Sequence, residues 1–166
     1  MGRQVIAEAL AGRRIFVTGS TGFVGTALVE RILRCVPDAR VALLVRDGRR
    51  SGADRRVQRE VLRNNAFERL RGELGADGFA AMAEDRVTVV RGDVGTDGLG
   101  LDDHGTRVLA ESDVVIHSAA TVAFDAPLDR AVEVNLLGPL RVAEAIIAAG
   151  ERHGTEPAHL VTVSTC

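Results

Sequence analysis

The stretch from Ile15 to Gly25 reads IFVTGSTGFVG and determines the fold that we predict for this chain of 166 residues. It begins with a short apolar run, continues through three glycines spaced three apart, and leads directly into an amphipathic helical pattern. A strand, a glycine turn and a helix N-terminus in this order form a site for the pyrophosphate of a dinucleotide, because the first N–H groups of the helix have no partner within it. We predict that Gly19 permits the tight turn, Gly22 lets a phosphate approach the backbone, and Gly25 lets the helix lie close to the strand.

The composition is that of a globular protein and excludes several other classes. Hydrophobic residues make up 46% of the chain and the formal net charge is −2, so charge gives no reason to expect nucleic acid or an anionic membrane as a partner. The two cysteines, Cys35 and Cys166, have neither metal-site nor disulfide spacing, and we therefore expect no metal and a cytoplasmic location. No apolar run approaches the roughly 20 residues that a transmembrane segment needs.

Strand and helix patterns alternate along the chain. The predicted strands are 14–18, 41–45, 87–90, 113–117 and 160–164. The predicted helices are 22–35, 53–74, 78–83, a short one ending at 108–112, and 129–152. This alternation predicts an α/β fold, a Rossmann-type doubly wound parallel sheet with strand order 3-2-1-4-5. Such a sheet normally continues further, so we expect residues 1–166 to be an NAD(P)-binding domain truncated after the fifth strand, the N-terminal part of a larger protein; the alternative is a complete small domain.

Distinct residues follow strands two and three, whose carboxyl ends border the ligand crevice of an open parallel sheet. Arg46 follows strand two and suits the 2′-phosphate of NADP(H) through a charge-assisted contact. The alternative is Asp47, which could accept from the ribose hydroxyls of NAD(H). After strand three, Asp93 can accept from the adenine amino group and Val94 can cover a ring face; an ordinary turn aspartate is the alternative. Four further arginines are secondary candidates: Arg49, Arg50, Arg55 and Arg56.

Small and hydroxyl-bearing residues follow strands four and five. Three small residues after strand four would let a nicotinamide ribose pass close to the backbone: Ser118, Ala119 and Ala120. His117, which precedes them, fits a packed strand end better than a catalytic base. Ser164 and Thr165 follow strand five, where a hydroxyl can reach a carbonyl oxygen lying over the nicotinamide.

Together these motifs resemble the extended short-chain dehydrogenase/reductases, and more narrowly the fatty acyl-CoA reductases, including the alcohol-forming male sterility type. The broader resemblance is carried by VTGSTGFVG (17–25), LVR (44–46), GDV (92–94), HSAATV (117–122) and VST (163–165). The narrower one is carried by FERL (67–70), LGL (99–101), FDAPL (124–128) and NLLG (135–138).

The resemblance implies NADPH-dependent reduction of a fatty acyl-CoA to an aldehyde or alcohol. By position, Thr165 matches the catalytic Ser/Thr of the family, with Ser164 as the alternative, and its hydroxyl would donate to the oxygen that gains negative charge. Asn135 matches a helix asparagine used for structure or proton relay. The whole glycine turn would contact the cofactor: Gly19, Ser20, Thr21, Gly22, Phe23, Val24 and Gly25.

One departure from the family is severe. Its proton donor is a tyrosine four residues before a lysine, and this chain contains neither residue type. We therefore expect the chain alone to be inactive or nearly so. Three alternatives stay open: a carrier-protein thioester reductase, a nucleotide-sugar epimerase or dehydratase of the same fold, and a non-catalytic NADP(H)-binding module. The sequence also leaves a homo-oligomer open.

Overall fold

The structure is a computed structural model that describes residues 2–48, 51–122, 125 and 127–164, with the backbone alone for residues 2–4. The strands are β1 (Arg14–Thr18), β2 (Arg40–Val45), β3 (Val87–Arg91), β4 (Val114–His117) and β5 (His159–Thr162). The α-helices are α1 (Gly2–Leu10), α2 (Phe23–Cys35), α3 (Ala53–Arg56), α4 (Glu68–Arg86), α5 (Asp103–Ala110), α6 (Leu128–Ala131) and α7 (Leu137–His153). Val57–Leu62 and Val132–Leu136 are π turns, and Asn65–Phe67 and Asp97–Gly100 are 3-10 turns. None of the helices described here has the length and apolar character that a membrane span requires.

The strands form one parallel sheet in the order β3-β2-β1-β4-β5, which confirms the predicted fold class and strand order. β1 lies at the centre, where Val17 is in register with Leu43 of β2 and Ile116 of β4. From β1 the chain proceeds outward to β2 and β3 on one side, and then returns to add β4 and β5 on the other. The connections that leave β1 and β4 therefore diverge, and a crevice opens at the carboxyl edge between them.

Strand β1 is buried on both faces, which explains its unbroken apolar sequence. Ile15 and Val17 pack in a core that includes residues of α2, α3 and α4. Phe16, between them, points into a second core formed with α5 and α7. All three side chains are 0% exposed. The sheet thus has a helical layer on each face, and both layers hold the loops at its carboxyl edge.

The prediction of one helix over 53–74 is wrong. α3 passes into the π turn Val57–Leu62 and the helix stops there. Asn64 starts the next segment, because its side-chain oxygen accepts a hydrogen bond from the N–H of Ala66 (3.0 Å). α4 then runs to Arg86 across a kink at Gly75, where φ is 69°. The separately predicted helix 78–83 is the second half of α4.

Other element boundaries also differ from the sequence prediction. Residues 2–10 form α1, for which we predicted no element, and its last residue Leu10 packs against the first core. The helix predicted over 129–152 begins at Leu128 and contains the π turn Val132–Leu136 before α7. Strand β5 ends at Thr162, two residues earlier than predicted.

Arg86 joins the end of α4 to the end of α2. Its guanidinium donates hydrogen bonds to the backbone carbonyls of Leu33 (2.9 Å), Val36 (2.8 Å) and Ala39 (2.7 Å). These carbonyls lie where α2 ends and the chain turns into β2, and the last carbonyls of a helix have no partner within it. One side chain therefore closes the connection between α2 and β2.

We predict that Arg86→Met lowers the free energy of unfolding by about 2 to 4 kcal/mol, because three carbonyls lose a charged donor. Urea denaturation followed by circular dichroism measures the change. The matched control is Arg69→Met, which removes an exposed ion pair with Glu73 on the same helix and should cost less than about 0.5 kcal/mol. Equal losses in the two variants would contradict the prediction.

Candidate functional site

The glycine turn between β1 and α2 is in direct contact with the segment that follows β4. Gly19 has a φ of 74°, in the left-handed region that favours glycine. A Cβ on Gly19 would lie 2.5 Å from the nitrogen of Ala119 and 2.6 Å from the carbonyl carbon of Ser118. A Cβ on Gly25 would overlap the carbonyl oxygen of Gly19. The turn, the helix and the segment after β4 therefore fit together only in the absence of side chains at these two positions.

Helix α2 begins at the carboxyl edge of the sheet without a side-chain cap. Gly22 occupies the N-cap position and makes no side-chain hydrogen bond to the helix. The N–H of Thr26 closes the first helical turn on the carbonyl of Gly22 (2.9 Å). The preceding N–H groups and the positive end of the helix dipole can therefore face an anion, which is the arrangement that binds phosphate groups.

A cleft of about 270 Å³ opens at this edge, among the ends of β1, β2, β3 and β4. It brings together nine residues that we predicted as cofactor contacts: Gly19, Thr21, Gly22, Arg46, Asp93, Val94, Ser118, Ala119 and Ala120. The remaining lining residues are Thr18, Leu44, Val45, Arg56, Gly92, Thr121, Arg130 and Val134. Within the described part of the chain, no group of three His, Cys, Asp or Glu residues could hold a metal ion.

Five other predicted cofactor residues are not among those that line the cleft: Ser20, Phe23, Val24, Gly25 and Asn135. Ser20 is buried behind the turn, where its carbonyl accepts a hydrogen bond from the Thr26 hydroxyl (2.8 Å). The side chains of Phe23 and Val24 are 94% and 51% exposed on the first turn of α2. For these two residues only the backbone N–H groups suit the predicted contact.

Asn135 acts on the cleft through a neighbouring residue. Its Oδ1 accepts from the N–H of Thr121 (2.8 Å), and its Nδ2 donates to the carbonyl of Thr121 (2.9 Å). Asn135 lies in the π turn Val132–Leu136, and a π turn shifts the side chains of a helix relative to regular α geometry. The asparagine therefore holds the backbone of the segment after β4 at Thr121.

Arg46 and Asp47, the two alternatives for recognising the adenosine ribose, have different surroundings. The Arg46 side chain is 58% exposed at the cleft, and its Nη1 lies 3.9 Å from Oδ2 of Asp93, a loose ion pair. Asp47 Oδ1 accepts from the N–H of Ala53 at the start of α3 (2.9 Å) and lies 3.5 Å from Nε of Arg91. The carboxylate of Asp47 thus caps a helix, and Arg46 is the charged strand-end residue that lines the cleft.

Two more arginines reach the cleft from helices. Arg56 donates to the carbonyl of Arg46 (2.8 Å) and pairs with Glu60 (2.8 Å), and this hydrogen-bonded pair lowers the pKa of Glu60. Arg130 lies on α6 and also lines the cleft. We did not predict this residue, because no motif or periodicity in the sequence indicates that the short helix borders the cleft. Of the other secondary candidates, Arg55 borders a shallow pocket beside Asp47, and Arg49 and Arg50 lie outside the described residues.

Of the two predicted catalytic residues, Ser164 alone belongs to the described part of the chain, where it follows β5. Thr165 lies outside the described residues. Ser164 is exposed and follows Val163, whose N–H donates to the carbonyl of His117 (2.9 Å). Ser164 therefore lies at the same edge of the sheet as Ser118, although it is not among the residues that line the cleft.

His117 is a packed strand-end residue. It is 2% exposed, and its Nδ1 lies 2.7 Å from the Thr18 hydroxyl oxygen. The same oxygen accepts a long hydrogen bond from the N–H of Ala119 (3.4 Å). Burial lowers the pKa of His117, since the charged imidazolium would lose its hydration.

Comparisons with known proteins agree with this fold. A family model described as male sterility protein matches residues 17–166. Among curated relatives, fatty acyl-CoA reductase 1 of Arabidopsis thaliana is 36% identical over 138 residues, which are 81% of this chain and 28% of that protein. The chain thus spans little more than a quarter of the length of this relative.

Two solved reductase structures are also similar. The terminal R domain from the myxalamid PKS-NRPS biosynthetic pathway is 30% identical with a TM-score of 0.64, covering 93% of this chain and 35% of that one. The reductase (R) domain of a non-ribosomal peptide synthetase from Mycobacterium tuberculosis is 30% identical with a TM-score of 0.62. The match covers 99% of this chain and 37% of that one.

We predict that His117 makes folding sensitive to mild acid. The unfolded chain binds a proton at this histidine near pH 6.5, whereas the folded chain binds it only at lower pH. Stability should therefore be fully retained above about pH 6.5 and fall as the pH drops toward the folded pKa, by at most about 1.4 kcal/mol per pH unit. In His117→Asn, the new side-chain oxygen can accept from Thr18. The free energy of unfolding of this variant, measured with urea, should fall less steeply between pH 7 and pH 5 than that of the wild type. An unchanged slope would show that His117 is not responsible.

Proposed function

The chain belongs to the family described as male sterility protein, together with the fatty acyl-CoA reductases, and from this premise we propose that it is the cofactor-binding part of an NADPH-dependent reductase of fatty acyl-CoA thioesters. The product would be an aldehyde or an alcohol. The observation that carries the proposal is the cleft, in which the glycine turn and the ends of four parallel strands converge beside an uncapped helix start.

The cleft fits a nicotinamide dinucleotide. Gly19 and Gly22 line it without a side chain, and the start of α2 can receive the pyrophosphate. On the β3 side, the Asp93 carboxylate would accept from the adenine amino group and Val94 would cover the ring. On the β4 side, small residues would leave room for the nicotinamide ribose: Ser118, Ala119 and Ala120.

The surroundings of Arg46 favour NADPH over NADH. Its guanidinium is exposed at the cleft and held only loosely by Asp93, so it can reach a 2′-phosphate with parallel charge-assisted hydrogen bonds. The competing carboxylate, Asp47, is engaged with the N–H of Ala53 and with Arg91. The Oδ1 atom that makes both contacts is therefore already used, which leaves the carboxylate less able than Arg46 to serve the ribose.

When bound, the nicotinamide cofactor supplies the hydride that reduces the thioester carbonyl. The hydroxyl of Thr165, with Ser164 as the alternative, would donate a hydrogen bond to the carbonyl oxygen as negative charge develops there. The proton donor must come from outside these residues, since the chain has no Tyr and no Lys. We therefore assign cofactor binding and carbonyl polarisation to this chain, and neither protonation nor the acyl pocket.

A carrier-protein thioester reductase is the second candidate. It is favoured by the 30% identity to two R domains, one from a PKS-NRPS pathway and one from a non-ribosomal peptide synthetase. Both candidates use the same cleft and the same cofactor. They differ only in the group that carries the thioester.

The first test is cofactor binding and turnover by the 166-residue chain. Calorimetry should detect NADPH binding, and NADPH absorbance should not decrease when acyl-CoA is added, because the chain lacks the acid. Failure to bind either nicotinamide cofactor would overturn the proposed function. Oxidation of NADPH with acyl-CoA at a rate typical of enzymes would overturn the assignment of the acid to residues outside this chain.

We expect Arg46 to determine the choice between NADPH and NADH. Arg46→Gln should weaken NADPH binding by about tenfold to a hundredfold, the equivalent of one or two charge-assisted hydrogen bonds, and leave NADH affinity nearly unchanged. The matched control is Arg40→Gln at the amino end of the same strand, where Arg40 pairs with Asp85 (2.9 Å) away from the cleft. Equal losses for NADPH and NADH in the Arg46 variant would contradict the assignment.

A further inference from the structure

The cleft has two walls formed by loops that extend beyond the sheet. The β3 wall is Gly92–Val94 and the β4 wall is Ser118–Thr121. Strands β2 and β1 lie between β3 and β4 in the sheet. The ladder and the hydrogen bonds of Gly92 to Val45 and of Ser118 to Thr18 position the base of each wall, and the residues further out depend in addition on contacts made outside the sheet.

The β3 wall is held in shape by its own backbone. The N–H of Asp93 donates to the carbonyl of Leu99 (2.9 Å), the N–H of Leu99 donates to the carbonyl of Thr96 (2.9 Å), and the N–H of Gly95 donates to Asp93 Oδ1 (2.9 Å). Leu99 has a φ of 59°, a backbone conformation that residues other than glycine rarely adopt, and its side chain is fully buried. This turn overlaps the 3-10 turn Asp97–Gly100, and it is also anchored outside itself, since Leu99 packs in the second core and the N–H of Gly92 donates to the carbonyl of Val45 (3.4 Å).

The β4 wall is held separately by the π turn Val132–Leu136. Asn135 binds both backbone groups of Thr121, as described above, and Val134 of the same π turn lines the cleft. Each wall is therefore attached to its own short helical turn. The distance between the two turns therefore contributes to the distance between the two walls.

Arg141, on the second turn of α7, connects these two turns. Its Nε donates to Oδ1 of Asp97 (3.0 Å) in the 3-10 turn, and its Nη1 donates to Oε2 (2.7 Å) and to the backbone carbonyl (3.3 Å) of Glu133 in the π turn. The Arg141 side chain is only 16% exposed, so its stem is packed, whereas the side chains of its partners Asp97 and Glu133 are 96% and 48% exposed. A planar guanidinium with donors in fixed directions constrains both partners at once.

We propose that Arg141 is a positioning residue that sets the spacing of the β3 and β4 walls, and so the affinity for a ligand that must touch both. This inference rests on the proposed function, in which the ligand is NADPH with its adenosine on the β3 wall and its nicotinamide ribose on the β4 wall. A ligand that touches the β3 wall and not the β4 wall should be insensitive to Arg141, because the backbone hydrogen bonds that shape the β3 wall do not involve this arginine.

The experiment compares NADPH with its adenosine fragment 2′,5′-ADP, each titrated calorimetrically into the 166-residue chain. In Arg141→Gln, the Kd of NADPH should rise three- to tenfold, and the Kd of 2′,5′-ADP should change less than twofold. Arg152→Gln is the matched control: Arg152 lies on the same helix and pairs with Asp103 of α5 (2.8 Å), without joining the walls. Both Kd values should be unchanged in it.

A general loss of folding would weaken the binding of both ligands together. The ratio of the two Kd values therefore distinguishes an effect on wall spacing from an effect on stability. Asp97→Asn is a second variant, which removes the charge of the Arg141 partner whose side chain is 96% exposed. It should weaken NADPH binding less than Arg141→Gln does, and it should again leave the Kd of 2′,5′-ADP nearly unchanged. The proposal is overturned if NADPH affinity is unchanged in Arg141→Gln, or if both ligands weaken equally. A wild-type chain that binds neither ligand would overturn the proposed function, and with it this inference.

Discussion

The close approach of the glycine turn to the segment after β4 is the constraint on which the rest of the structure depends. Gly19 adopts a left-handed conformation and leaves no room for a Cβ against Ser118 and Ala119, and Gly25 leaves none against Gly19 itself. This contact brings the start of α2 to the carboxyl edge, next to the end of β4. The uncapped start of α2 and the small residues after β4 therefore border one cleft, at the switch point of a doubly wound sheet.

The chain contains 21 arginines and no lysine. Two of them hold parts of the chain together: Arg86 binds three carbonyls, and Arg141 joins two turns through two carboxylates and one carbonyl. The planar fork of guanidinium donors suits such contacts better than a lysine ammonium does. Arg46 differs from these residues, because its ion pair with Asp93 is 3.9 Å long and its side chain is exposed at the cleft. For this reason our proposal assigns the 2′-phosphate to Arg46.

The residues of the cleft separate cofactor binding from acid chemistry. In our proposal Gly19, Arg46 and Asp93 supply shape and charge for a dinucleotide, whereas the buried His117 is hydrogen-bonded to Thr18 and has a lowered pKa. A histidine held in this way is poorly placed to deliver a proton to a substrate, and the chain has no Tyr or Lys that could replace it. The family relationship and the cleft thus agree on a nicotinamide cofactor, and the thioester substrate remains our proposal.

The sequence by itself determined the strands, their order and the position of the glycine turn. Continuous apolar runs mark strands buried on both faces, and alternation with helices restricts the sheet to few topologies. It could not reveal the break at Asn64, where a local side-chain hydrogen bond overrides helical periodicity. Only the tertiary structure showed that Asp47 caps α3, that Asn135 holds Thr121, and that Arg141 reaches Asp97 44 residues away. Such contacts join side chains distant in sequence, and they leave no periodic pattern because their geometry exists only after the sheet has brought its loops together.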